Sequence, residues 1–146
     1  MADEGGMLTY LTIALALAIN PPAGFNAAPI LDAIERVETG GCADPTNAVG
    51  DGGKALGPMQ IHRVYWQDAV EHDPTLVANG ETYQSVRDRT YARRVVMAYM
   101  SRYAKTWSAE EIARLHNGGP AAMKAKRKRL TDGYWAKVQK ALDLTR

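Results

Sequence analysis

The sequence predicts a mostly α-helical α+β domain with one small turn-rich or β element between its first two helices. Three observations carry that expectation. Apolar residues recur at helical spacing in successive segments, and Gly/Asn/Pro breaks separate them. Residues 44–56 are rich in Gly, Asn, Asp and Pro and read as turns or a short hairpin. A chain of 146 residues fits one domain with one hydrophobic core.

The elements follow in order. Residues 20–29, with Pro21, Pro22, Gly24 and Pro29, form the clearest boundary, which divides the chain into a segment 1–27 and a domain 28–146. Ile30, Leu31, Ile34 and Val37 fall on one helical face. That helix is expected to stop at Gly40-Gly41, where glycine accepts a left-handed cap. Asp51-Gly52 marks a tight turn. Gly57-Pro58 is expected to open a second helix to about Val70, with Met59, Ile61, Tyr65, Trp66 and Ala69 on its apolar side, because proline is tolerated in a first turn. Residues 72–80 read as a loop, and residues 83–103 give the longest helical pattern. Ser108-Ala109-Glu110-Glu111 has the form of a capping box and starts a helix to about His116, which Asn117-Gly118-Gly119-Pro120 breaks. A last helix is expected over about 131–142.

Charge and cysteine content narrow the chemistry. The formal net charge is +2, and setting aside Asp3 and Glu4, the only charged residues before position 30, raises it to +4. A mildly basic body suits an anionic polymer. The single cysteine, Cys42, excludes an intramolecular disulfide, so the fold rests on its core. Residues 8–19 are nearly all apolar, too short to span a bilayer comfortably but of the length of a signal-peptide core, with Ala16-Leu17-Ala18 as the small-residue cleavage site. Asp3 and Glu4 are the wrong charge for such a leader, and a packed N-terminal helix or a tail is the other reading.

The residues that could carry chemistry are few. Glu38 closes an apolar helix just before two glycines and a polar loop. Burial there would raise its pKa and keep a proton available for general acid catalysis, although spacing alone better suits a surface acid near a helix C-terminus. Asp51, in the turn-rich segment, is the second carboxyl; a pair of carboxyls facing a scissile bond is the usual requirement for glycosidic cleavage, and a turn-building role is the alternative. His116, Asn117 and Gly118 end a helix and offer polar groups and a close backbone approach for sugar hydroxyls. The basic run at 124–129 reads first as a solvated face. His62, His72 and His116 lack metal-ligand spacing, so no metal is expected.

In combination these residues resemble the invertebrate-type lysozyme, or destabilase, family. Ile34-Glu35-Arg36-Val37-Glu38-Thr39-Gly40 is similar to its segment bearing the catalytic glutamic acid. Asp51-Gly-Gly-Lys-Ala-Leu-Gly57-Pro-Met-Gln60-Ile61 follows, as do Tyr65-Trp66-Gln67-Asp68 and Ala98-Tyr99-Met100-Ser101-Arg102-Tyr103. Ala113-Arg114-Leu115-His116-Asn117-Gly118-Gly119-Pro120 and Gly133-Tyr134-Trp135-Ala136-Lys137-Val138 close the series, and the order is kept from Ile34 to Val138.

The resemblance implies a two-lobed lysozyme-like domain that hydrolyses the β-1,4 bond between N-acetylmuramic acid and N-acetylglucosamine. It puts Glu38 on the general acid/base and Asp51 on the nucleophile or electrostatic stabiliser. Gln60, His116, Asn117 and Gly118 are then expected along the sugar path, with Ile61 and Tyr99 supporting it from the core, and Trp66 and Trp135 as either platforms or packing. It implies peptidoglycan glycan strands as partner, a secreted or periplasmic location, no nucleic acid, no stable membrane insertion and no cofactor; the oligomeric state stays open, with a monomer assumed. The family is cysteine-rich, and a chain with Cys42 alone implies a bacterial or phage relative in which packing replaces disulfides. The isopeptidase activity of some members uses a serine after the aspartate; residues 51–57 contain none, and His62 stands where a lysine is common. Two other readings stay open. A lytic transglycosylase would use Glu38 alone and form 1,6-anhydro ends, and a noncatalytic wall-binding protein would keep the fold without turnover.

Overall fold

The computed structural model describes residues 20–144. The apolar run at 8–19 and its assignment as a leader lie outside the described residues.

Helix α1 (Ala28–Thr39) buries Ile30, Leu31 and Ile34 on one side, the stripe its spacing predicts. It ends at Gly40 without the expected left-handed cap. Gly40 keeps a right-handed φ of −61° and donates its N–H to Arg36 O. Glycine is required there for a different reason, since a Cβ would run into the Arg36 carbonyl. The expected hairpin is present. β1 (Val49–Gly50) pairs antiparallel with β2 (Ala55–Leu56), Val49 facing Leu56 and Gly50 facing Ala55. The connecting residues Asp51–Gly53 make a 3-10 turn in which all three carry positive φ.

The second helix begins later than expected. Gly57-Pro58 does not open it, because Gly57 and Gln60 both sit in the left-handed region, which no helix start can use. Instead residues 57–60 turn the chain, and β3 (Ile61–His62) pairs with β2 through Leu56↔Ile61 and Ala55↔His62. Helix α2 (Arg63–His72) follows directly. The pattern at 83–103 also divides. Tyr83–Arg87 is a 3-10 turn, Asp88 is extended, and α3 is Arg89–Tyr103. The Asp88 carboxylate accepts the Tyr91 N–H at 2.7 Å, so an N-cap interrupts what periodicity reads as one helix.

Ser108 caps α4 (Ala109–Gly118) by accepting the Glu111 N–H at 3.2 Å. The reciprocal half of a capping box is absent. Glu111 turns back further and accepts the N–H groups of Lys105, Thr106 and Trp107. The basic run forms a short helix α5 (Ala125–Lys128), and α6 (Asp132–Asp143) closes the described chain. The molecule is therefore mostly helical, with a small three-stranded antiparallel sheet in the order β1-β2-β3. One core cluster joins all parts: Ile34, Met59, Ile61, Val95, Tyr99, Leu115 and Val138 belong to it. Each fully buried side chain of this size contributes roughly 1.5–3 kcal/mol of transfer free energy. Helix α1 packs on α6 and α4, and α2 on α3, with the sheet at the C-terminal end of α1. Among the described residues no helix is long and apolar enough to cross a membrane.

Candidate active site

The turn at residues 57–60 is the keystone of the site, because two helices are tied to it. Thr39, buried at the end of α1, donates its hydroxyl to Pro58 O at 3.0 Å. His116 of α4 lies with Nε2 3.0 Å from Met59 O and Nδ1 3.2 Å from the Tyr65 hydroxyl. A carbonyl only accepts, so Nε2 carries the proton and Nδ1 accepts from Tyr65. Burial pushes His116 down to about 4, so it is neutral near pH 7. Its side chain is only 3% exposed.

These ties bring Glu38, Asp51, Gln60, His116 and Asn117 to one cleft of about 300 Å³, walled also by Ala55 and His62. Glu38 reaches it from the last turn of α1 with its side chain 20% exposed. Burial raises its pKa. The Tyr134 hydroxyl, 2.7 Å from Oε1, and the charge of Lys137 pull the other way, and Asp51 adds a smaller upward push. The net direction is upward, so the carboxyl holds a proton further toward neutrality than an ordinary glutamic acid. Asp51 differs in every respect. Its side chain is 69% exposed, its backbone has φ 54°, and its carboxylate meets His62 Nε2 at 2.9 Å. A shielded carboxyl and an exposed one thus share one cleft.

Gln60 forms the floor. Its left-handed backbone turns the side chain back, Nε2 donates to Gly57 O at 2.9 Å, and Oε1 lies so close over Gly50 that a Cβ there would collide with it. Gly118 lies apart from the cleft wall: a Cβ on it would press on Thr131 and Ala122, so this glycine serves the packing of α4. Ile61 and Tyr99 are buried, and Tyr99 stacks on Tyr65 with ring centroids 3.7 Å apart. Trp66 and Trp135 pack partly buried against the core, with Trp66 Nε1 donating to Tyr91 at 3.0 Å. Sequence spacing singled out neither Tyr134 nor Thr39 for the site. Tyr134 lies 96 residues from Glu38, and only its place in the closing Gly-Tyr-Trp motif hinted at it.

With this geometry in place, comparison with known proteins is decisive. Residues 29–141 match the Destabilase family. The chain belongs to that family. It is 31% identical over 110 residues to the invertebrate-type lysozyme of Ruditapes philippinarum, covering 72% of this chain and 74% of that one. Lysozyme 1 of Crassostrea virginica is 35% identical over 89 residues, which span 58% of this chain and 44% of the oyster protein. The chain therefore spans less than half the length of that relative. Among solved structures, Tapes japonica lysozyme superposes with a TM-score of 0.59 at 29% identity. Meretrix lusoria lysozyme, in complex with Aeromonas hydrophila PliI, gives 0.60 at 32%. Both comparisons cover 77% of this chain and 87% of the other. The fold of this Destabilase-family chain is thus a lysozyme-like α+β fold.

Proposed function

We propose that this protein is a muramidase, a glycoside hydrolase that cleaves the β-1,4 bond between N-acetylmuramic acid and N-acetylglucosamine in peptidoglycan. The observation that carries the reading is the contrast between two carboxyls in one cleft. Glu38 is shielded with its pKa raised, and Asp51 is exposed and paired with His62. This contrast in environment supports proton donation by Glu38 and the anionic role for Asp51.

Glu38 donates its proton to the glycosidic oxygen as the C1–O bond breaks, and the departing sugar leaves as an alcohol. The Asp51 carboxylate attacks C1 or stabilises its positive charge. The Glu38 carboxylate then takes a proton from water, which restores the acid, while the water oxygen bonds to C1 and, where Asp51 has attacked, the C1–O bond to Asp51 breaks and frees its carboxylate. Gln60, His116 and Asn117 offer polar groups along the cleft for the sugar substituents.

The test is digestion of purified peptidoglycan with mass analysis of the new ends. Reducing N-acetylmuramic acid ends are expected. The Glu38→Gln variant should lose roughly 10²–10⁴-fold in kcat, the usual weight of a positioned acid. Retained turnover in that variant would sink the assignment. The Asp51–His62 contact favours one second reading, in which Asp51 is a turn residue held by His62. Ends lighter by one water would then mark a lytic transglycosylase. The same proposal includes export to the wall, with residues 1–27 as leader and 28–146 as catalytic domain, and a bacterial or phage origin for so cysteine-poor a member. Intact-mass measurement of the exported protein checks the leader.

A further inference from the structure

A second, larger cavity of about 550 Å³ shares His62 with the cleft that holds Glu38. It opens between the β1–β2 hairpin, the first turn of α2 and the Tyr83–Arg87 turn. His62 is a wall of both this cavity and the catalytic cleft. Its charged walls are Lys54, Arg63 and Arg87, and no aspartate or glutamate lines it.

Two of these cations are held in place without being neutralised. The Arg63 guanidinium lies 4.6 Å over the Tyr83 ring. Tyr83 is itself pinned by donating its hydroxyl to Lys54 O at 3.0 Å and Ile61 O at 2.8 Å. Arg87 is held by neutral oxygens, Gln84 Oε1 at 3.2 Å and Thr46 O at 3.4 Å. Among the described residues none of the three has a carboxylate partner, whereas Arg89, Arg93, Arg102 and Arg114 all do. Like charges gathered in a concave site repel one another, and an anionic ligand relieves that repulsion. The rim is apolar: Val49 is 55% and Val64 71% exposed.

We propose that this cavity is a subsite for the carboxylates of the peptide stem that branches from the muramic acid. The inference rests on the muramidase reading and names the part of the substrate that reading leaves out. A stem offers both chemistries found here. Its free carboxylates match planar guanidinium forks, and its alanine methyls match Val49 and Val64. A phosphate–polyol polymer has no apolar groups for that rim. An extended stem of four residues spans about 14 Å. A third cavity, of about 570 Å³ and sharing His62 and Val64 with this one, is lined by Asp51, Asp68 and Glu71 and by no lysine or arginine. The cavity that holds unpaired cations is therefore the one that suits the stem carboxylates.

The test compares glycan strands bearing stems with strands stripped of them by an amidase, using wild type and the double variant Lys54→Gln/Arg63→Gln. Both side chains are exposed, and an Arg63→Lys variant keeps the charge while losing the fork. Loss of two charge-assisted contacts should raise KM on stem-bearing strands about tenfold, leaving KM on stripped strands unchanged. Raising the salt should erase the difference. Equal effects on both substrates, or a wild type indifferent to stems, overturns the proposal. Calorimetry on Glu38→Gln protein with a disaccharide–tetrapeptide and the bare disaccharide gives a readout free of turnover. Stem-independent affinity there defeats the subsite and leaves the muramidase reading standing. Stem-dependent affinity in a protein whose wild type releases no sugar ends does the reverse. Lys54-dependent binding of a glycerol-phosphate polymer, without any effect on the tetrapeptide ligand, would also defeat it.

Discussion

Glu38 is held between burial, which favours its neutral form, and the Tyr134 hydroxyl, which favours the carboxylate. Removing that hydroxyl in Tyr134→Phe should raise the Glu38 pKa further. A general acid is active while protonated, so the alkaline limb of the kcat/KM profile should move up, by as much as about one pH unit for a hydrogen bond to a charged group. A profile that does not move means Tyr134 is packing alone. The same residue predicts a stability effect of opposite sense to its catalytic one. A carboxyl whose folded pKa is raised gives its full stability below the unfolded value and loses it as pH rises through the folded value. Glu38→Gln has no charge to bury, so it should melt higher than wild type at pH 7 and equally at pH 4. The gain should be about 1.4 kcal/mol for each unit by which the pKa is raised. Thermal melts at the two pH values check it. At this scale the sequence was only partly informative. The order of motifs marked Glu38, Asp51, Gln60, His116 and Asn117, and one cleft holds them all. Gly118 was marked for the same wall, yet its own contacts are with Thr131 and Ala122. Tyr134 and Thr39 act across the chain, and such partners leave no trace in spacing.

The turn-rich segment between α1 and α2 shows why element boundaries were harder to read than elements. Asp51-Gly52 announced its hairpin, because those residue types favour the left-handed backbone. Gly57-Pro58 misled, because a proline in a first helical turn and a proline after a left-handed glycine look alike in sequence. What separates them is the pairing of Ile61 and His62 with β2, a tertiary fact. Likewise Asp88 could be seen as a polar position of one long helix, and it is the cap of a shorter one. Two glycines of this segment make a paired prediction. At Gly57, φ is 75° and a Cβ would meet the backbone carbonyl of Val86, which has nowhere to go. Gly57→Ala should therefore cost about 2–4 kcal/mol, read from denaturant unfolding. At Gly50 the backbone is extended and the clash is with the tip of Gln60. Gly50→Ala should leave stability within about 1 kcal/mol and raise KM by displacing that amide from the cleft floor. Adding Gln60→Ala should bring no further rise. A Gly50→Ala protein with unchanged KM would show that Gln60 does not contact substrate.

For the whole molecule, the question is what holds a cleft open between helices without a covalent tie. Cys42 is exposed and is the sole cysteine, so no crosslink spans the core. The composition made that plain at the outset. It did not reveal the polar ties that serve instead. Arg93 bridges α3 to Asp32 and Glu35 of α1, each at 2.6 Å. Arg114, its side chain 5% exposed, reaches from α4 to Lys128 O, Thr131 Oγ1 and the Asp132 carboxylate at 2.7–2.9 Å, fixing the chain that leads into α6. Helix α6 carries Tyr134, so Arg114 also sets the frame for Glu38. Removing a buried cation strands its partners, and Arg114→Met should cost about 3 kcal/mol, near 10 °C in Tm for a chain of this size. Because α1, α4 and α6 share one core cluster, the loss should lower a single transition rather than split off a C-terminal unit. A reducing agent, by contrast, should leave both the wild-type and the variant Tm where they were. Calorimetry with and without thiol reads both effects. A biphasic melt in Arg114→Met would mean that α6 is a separate unit docked on the rest. The position of Tyr134 against Glu38 would then depend on docking rather than on the core.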